Sequence, residues 1–134
     1  MILSFLFNKF SNSIAFLVNN NNLDRAINYS VFSGGKRFRV ILALIASKMF
    51  GLSKDISKSI AICCEFIHNA SLIHDDLPCM DDDDFRRGKD SNHIKYGEAN
   101  AILAGDALQT LAYEIICDDS DLKPNEIVEA IKLI

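Results

Sequence analysis

The sequence predicts an all-α protein, and three observations carry that prediction. Apolar residues make up 49 % of the chain, yet they recur at helical spacings, and period-two alternation of β-branched residues is scarce. Only two prolines and six glycines interrupt 134 residues, so long uninterrupted helices are the natural outcome. The interruptions fall between the periodic segments, where helices start and stop. A chain of this length suits one domain over residues 1–134, with a single core.

The elements follow in order. Residues Ile2 to Val18 carry apolar groups at mixed helical spacing. The opening MILSFLFNKF is broken by Lys9 and has no basic leader or small-residue cleavage site. It is expected to form an amphipathic helix, neither a signal peptide nor a membrane span. Asn19–Asn22 is a loop. A helix starts at Leu23-Asp24 and ends at Gly34-Gly35. The next runs from Lys36 to Phe50, with Gly51 as its left-handed cap. Ser53 caps a helix that continues towards Leu77, where Pro78 cannot donate to the His74 carbonyl and biases Leu77 out of the helix. Asp81–Ser91 is a polar connection, Gly97–Cys117 another helix, and Pro124 opens a last one to Ile134. No strand, repeat or long linker is expected. Ile127, Val128, Ile131, Leu133 and Ile134 form a final apolar face, which suggests a fragment or a helix that docks on another chain.

The net charge of −4 argues against a nucleic-acid surface. Cys63, Cys64, Cys79 and Cys117 form no CxxC pair, so they read as buried free thiols in a reducing cytoplasm rather than a zinc site.

The stretch HNASLIHDDLPCMDDDDFRRGKD, from His68 to Asp90, gathers Asp75, Asp76 and Asp81 to Asp84 in front of Arg86 and Arg87. Like charges side by side raise one another's pKa and need a reason to be there. At about 100° per residue, His68, Ser71 and Asp75 share a helix face, whereas Asp81 would point about 120° away from Asp75. The two carboxylates converge only if the backbone is distorted between them, and Leu77-Pro78 supplies that distortion. Oxygen-only ligands point to Mg²⁺, Mn²⁺ or Ca²⁺. A calcium-binding EF-hand is excluded, because Arg86 stands where glycine is needed and Asn92 where the bidentate glutamate belongs. Mg²⁺ takes one or two carboxylates and leaves room for phosphate, which Arg86 and Arg87 can hold bidentately. Lys36, Arg37 and Arg39 follow Gly34-Gly35 in the expected first turn of a helix, where cations oppose the dipole. Glycines, helix-start amides and three cations make an anion site. His68 adds a further donor.

Three blocks in this order, GGKRFR (34–39), EFIHNASLIHDDLPCMDDDDFRRG (65–88) and GEANAILAGDALQTLAYEII (97–116), resemble the short-chain trans-prenyl diphosphate synthases. The likeness is strongest to the bacterial farnesyl and geranylgeranyl diphosphate synthase group. The resemblance implies the N-terminal part of an isoprenoid-synthase-type all-α bundle, acting as a homodimer. It implies condensation of isopentenyl diphosphate with dimethylallyl or geranyl diphosphate, to farnesyl or geranylgeranyl diphosphate. Asp75, Asp76 and Asp81 match the DDxxxxD motif and become the expected catalytic Mg²⁺ ligands, with Mn²⁺ as a substitute. Arg86 matches the arginine at the allylic diphosphate. Lys36, Arg39, His68 and Arg87 match the isopentenyl diphosphate site. Asp106 and Gln109 are expected to line or support the cavity. The chain-length pocket is expected at Ala70, Ser71 and Ile67, with Phe66 beside Ile67. Ala70 stands where farnesyl enzymes of this type place an aromatic, which implies a mixed or twenty-carbon product. Family members are about twice as long and carry a second aspartate-rich motif that these 134 residues lack. The chain alone is therefore expected to be inactive or nearly so. The alternatives are a non-catalytic remnant or regulatory subunit that pairs with a full-length synthase, and an HD-type phosphohydrolase suggested by His74-Asp75. The latter lacks well-spaced further histidines.

Overall fold

The computed structural model describes residues 21–134, so the helix expected over Ile2–Val18 lies outside the described residues. Helix α1 (Asn22–Phe32) begins where the Asn21 side chain accepts from the Asp24 amide at 2.8 Å. Helix α2 (Phe38–Met49) starts two residues later than expected, because Arg37 sits in the left-handed region at φ 50°. That conformation costs a non-glycine residue about 1–2 kcal/mol. Lys36 and Arg37 therefore precede the helix rather than occupying its first turn. The end of α2 follows the sequence: Gly51 is left-handed (φ 72°), and Leu52 N–H donates to Ser47 O at 3.0 Å while Gly51 N–H donates to Lys48 O at 3.2 Å. That is the paired bonding of a Schellman cap.

Helix α3 (Lys54–Asp75) starts at Ser53, whose hydroxyl accepts from Ile56 N–H at 3.2 Å and donates to Asp121 at 2.7 Å. It ends as the proline dictates. Leu77 N–H takes the His74 carbonyl at 3.2 Å, and the Asp75 carbonyl accepts from Asp81 N–H at 2.8 Å. The polar connection contains a two-stranded hairpin, β1 (Phe85–Arg86) and β2 (Lys89–Asp90), paired Phe85 with Asp90 and Arg86 with Lys89. This corrects the expectation of no strand. Arg87 (φ 57°) and Gly88 (φ 75°) form its two-residue turn, with positive φ at both positions as a type I′ turn demands. Two residues per strand are too few to leave a period in the sequence.

A short helix missed by the sequence pattern, α4 (Asn92–Tyr96), precedes α5 (Glu98–Cys117) and α6 (Pro124–Leu133). It is tied to α1: the Asn92 amide donates to Ala26 O at 2.8 Å and Ser30 Oγ at 2.7 Å, and Tyr96 meets Tyr29 edge-on at 5.5 Å. The core forms where Ile62, Phe66, Ala70, Ile73 and Leu77 of the α3 side meet Ala101, Ala104, Leu108, Ala112 and Ile116 of α5, with Ala26, Ile27 and Val31 of α1 closing it. The alanines, and Gly105 beside them, let the helices approach closely. By contrast, Phe38, Leu42, Ile45 and Met49 leave an exposed apolar stripe along α2.

Gly105 is where the close approach is most exacting. A methyl group there would lie 2.7 Å from Cε1 and 2.5 Å from Cδ2 of His74, and closer still to Nε2. Gly105→Ala should therefore displace His74 and destabilise the fold by about 1–3 kcal/mol, lowering the midpoint of thermal unfolding followed by circular dichroism. An unchanged midpoint would show that α3 and α5 are less tightly juxtaposed than described.

Candidate functional site

Two ionic clusters lie along one side of α3. The first is at its C-terminal end. The bond from Asp81 N–H to the Asp75 carbonyl folds the chain back and brings Asp81 beside Asp75, as the break at Leu77-Pro78 predicted for the backbone. Asp75 is half-buried and Asp81 exposed. Asp76 is not brought to them. It is 2 % exposed, and its two carboxylate oxygens accept from Arg86 Nε at 2.9 and 3.2 Å, with Arg86 Nη2 adding a further bond. Arg86 also reaches Asp83 at 3.4 Å. Its pKa is raised chiefly by the hydrogen bond to Asp76, against the opposing effect of burial. The role of Asp76 in this conformation is thus to aim Arg86. Asp83 gains a minor contact, while Asp82 (φ 54°) and Asp84 serve the turn, the latter through its carbonyl, which accepts from Ser91 N–H at 2.8 Å.

Among the described residues no three His, Cys, Asp or Glu side chains converge tightly enough to hold a metal by themselves. The donor set fits Mg²⁺ nonetheless, because that ion takes one or two carboxylates and completes its octahedron with water and phosphate oxygens. Asp75 and Asp81 would hold it.

The second cluster lies one to two turns back along α3. Arg39 Nη1 is 3.3 Å from Nε2 of His68. Arg87 reaches across from the hairpin turn, donating to the Gly34 carbonyl and to Ser33 Oγ at 3.3 Å. Its guanidinium lies over Gly35, where a Cβ would come within 2.8 Å of Cζ, and Gly35 has φ 113°; only glycine fits. Lys36 is exposed beside it. The helix-start arrangement expected for Arg37 is corrected: its guanidinium is buried, ion-paired to Glu65 of α3 and bonded to the Val31 carbonyl. The pKa of His68 is lowered, first by burial and then by Arg39, with Arg87 and Arg37 adding to it and Glu65 opposing. That of Arg87 is lowered by burial and then by Arg37. Cations gathered this way repel one another, and an anion between them relieves the repulsion.

The remaining candidates divide. Ser71 is exposed on the His68–Asp75 side, and its hydroxyl donates to the His68 carbonyl at 3.0 Å. Ile67 is half-buried against the core. Ala70 faces the opposite way and is buried within the core, so it does not share a surface with Ser71. On α5, Asp106 and Gln109 are exposed one turn apart, and Asp106 lies 3.7 Å from His74 Nε2, which also approaches the Ile102 carbonyl at 3.2 Å. The three histidines thus serve three separate places, since His93 is buried against Ser91 at 3.1 Å; this removes the basis for a histidine metal centre. Sequence reasoning missed Glu65 and Asn69. The signal was available, because both fall within the buried stretch around Ile62 and Phe66, where a carboxylate and an amide need partners.

The described residues thus form an all-α bundle with a carboxylate cluster at one end of α3 and a cationic cluster behind it. Residues 20–134 match the Polyprenyl synthetase family model, and the chain belongs to that family. It is 53 % identical over 96 residues to the farnesyl diphosphate synthase of Buchnera aphidicola, covering 72 % of this chain and 34 % of that one. It is 45 % identical over 109 residues to the chloroplastic geranylgeranyl pyrophosphate synthase 7 of Arabidopsis thaliana, covering 81 % and 31 %. Among solved structures, an FPP/GFPP synthase from Zymomonas mobilis superposes with TM-score 0.87 at 34 % identity, over 98 % of this chain and 49 % of that one. The chain thus spans about a third of the length of the curated relatives it matches and about half of the solved ones.

The lowered pKa of His68 sets a pH dependence. Between its folded and unfolded pKa values the unfolded chain binds more protons, so this group's contribution to stability is fully present above the unfolded value near 6.5 and is lost as pH falls from there through the lower folded value. Wild type should lose more stability than His68→Gln between pH 7 and pH 5, measured by urea unfolding at each pH. Parallel losses would contradict the assigned environment.

Proposed function

We propose that this chain forms the substrate-diphosphate half of a prenyltransferase site, with the observation of two separate clusters on one side of α3 carrying the reading. The reaction class is condensation of isopentenyl diphosphate with an allylic diphosphate such as dimethylallyl or geranyl diphosphate, to farnesyl or geranylgeranyl diphosphate. Lys36, Arg39, His68 and Arg87 bind the diphosphate of the isopentenyl substrate. Asp75 and Asp81 hold Mg²⁺ or, in its place, Mn²⁺, and Arg86, aimed by Asp76, contacts the allylic diphosphate. Bound Mg²⁺ supplies Lewis-acid neutralisation of the departing diphosphate. Arg86 shares that developing charge, and the cationic cradle keeps the isopentenyl double bond facing the allylic carbon left by the leaving group. Ionisation, attack by the double bond and loss of a proton then complete the transfer.

The product tail runs back along α3 from Asp75. Ser71 and Ile67 flank that path. A role for Ala70 in a mixed or twenty-carbon product requires a path through the core side of α3. Pairing of two chains, or of this chain with a longer synthase as a non-catalytic subunit, is favoured by the exposed apolar stripe on α2. The expectation of four buried thiols is corrected: Cys63 is buried and pushed up to about 11 by that burial, and so unreactive, whereas Cys79 and Cys117 are exposed. No helix among the described residues is long and apolar enough to cross a membrane.

Equilibrium binding tests the assignment. Radiolabelled isopentenyl diphosphate should bind without metal and lose about tenfold or more in affinity on Arg39→Ala, the expected order for losing a charge-assisted contact. Geranyl diphosphate should bind in a Mg²⁺-dependent manner that Asp75→Ala removes. Metal-independent binding of geranyl diphosphate, or no binding of either ligand, would overturn the proposal.

A further inference from the structure

The loop that presents the cationic cradle is held from below by a buried network outside the ligand-facing residues. Arg37 is buried under the loop, with its backbone in the left-handed region, and its guanidinium bridges two elements. One arm is ion-paired with Glu65 in the middle of α3, and another bonds the Val31 carbonyl in the last turn of α1. Glu65 is itself 2 % exposed, and Oε1 also accepts from Asn69 Nδ2 at 3.1 Å, while the same nitrogen donates to the Glu65 carbonyl at 2.8 Å. Lys36 and Arg39 flank Arg37 in the chain, and His68 lies one residue before Asn69. The network therefore sits at the root of every ligand-facing cation from the α1–α2 loop.

We infer that Arg37 and Glu65 are positioning residues for the cradle: the buried pair fixes the loop between Gly34 and Arg39 in the one shape that lets Lys36, Arg39, His68 and Arg87 converge. The geometry fits this purpose. A left-handed arginine is unfavourable unless its side chain is anchored, and the rigid fork of the guanidinium holds the Glu65 carboxylate and the Val31 carbonyl with two separate nitrogens. Arg87 then docks on the Gly34 carbonyl of the loop so fixed. Glu65 is thus a carboxylate built into an anion-binding site, and by charge alone it opposes anion binding.

That opposition makes the inference testable by sign. It rests on reading the cradle as a diphosphate site. The probe is inorganic diphosphate, titrated calorimetrically in chelator so that no divalent ion bridges it to Asp75 and Asp81. Glu65→Gln removes a negative charge, and a purely electrostatic role predicts binding a few-fold tighter than wild type. Positioning predicts binding at least fivefold weaker. Arg37→Lys keeps the charge but not the fork, and positioning predicts the same loss where electrostatics predicts none. Mg²⁺-dependent binding of geranyl diphosphate serves as the local control and should stay within twofold in both variants. Circular dichroism establishes that each is folded, and if Glu65→Gln is not, Arg37→Lys carries the comparison. Unchanged or tighter diphosphate binding in a folded variant, or equal loss at both clusters, overturns the inference alone. No binding of diphosphate by wild type overturns the cradle reading and the inference with it.

Discussion

Pro78 has no N–H to offer the carbonyl of His74, and the way the chain accommodates that lack governs the acidic end of the site. Leu77 takes the bond instead, the helix closes at Asp75, and the free Asp75 carbonyl captures the amide of Asp81. One missing donor therefore turns a linear run of aspartates into a folded one. The same reversal sends the chain into the hairpin at Phe85–Asp90, which returns Arg86 to Asp76 and carries Arg87 to the Gly34–Gly35 loop. A continuous helix through this stretch would scatter the carboxylates and leave both arginines far from their partners.

Each cluster contains a buried counter-ion that aims a charge instead of neutralising the site. Asp76 does so for Arg86 and Glu65 does so for Arg37. In both cases the acid is nearly inaccessible, where an unpaired carboxylate would be strongly disfavoured, so the pairing is enforced. In the proposed function, half-buried Asp75 and exposed Asp81 on one side, and exposed Lys36, Arg39 and Arg87 on the other, are the members that meet metal and phosphate. This division accords with the proposed reaction, in which one diphosphate leaves and the other stays.

Much of this was legible in the sequence for identifiable reasons. Ser53, Gly51, Pro78 and Pro124 are local signals whose effect does not depend on the rest of the fold, and each marks its boundary within a residue or two. The start of α2 was misplaced because Arg37 obeys a tertiary demand, a buried carboxylate on another helix, that its own neighbours do not reveal. The hairpin and α4 escaped notice because each is shorter than the window in which a period can be seen. The pairing of Asp76 with Arg86 was not legible either: adjacent residues on a helix differ by about 100°, and the hairpin that brings Arg86 back to Asp76 settles which aspartate turns inward.

The proposed metal bridge between Asp75, Asp81 and a diphosphate can be observed spectroscopically. With Mn²⁺ in place of Mg²⁺, pulsed electron paramagnetic resonance detects ³¹P hyperfine coupling when phosphate oxygen ligates the bound ion. Bound geranyl diphosphate should give that coupling in wild type, and Asp81→Asn should abolish it while the fold persists. Coupling that survives in both Asp75→Asn and Asp81→Asn, or bound Mn²⁺ with no ³¹P coupling in wild type, would contradict the assignment of these two carboxylates as the metal ligands.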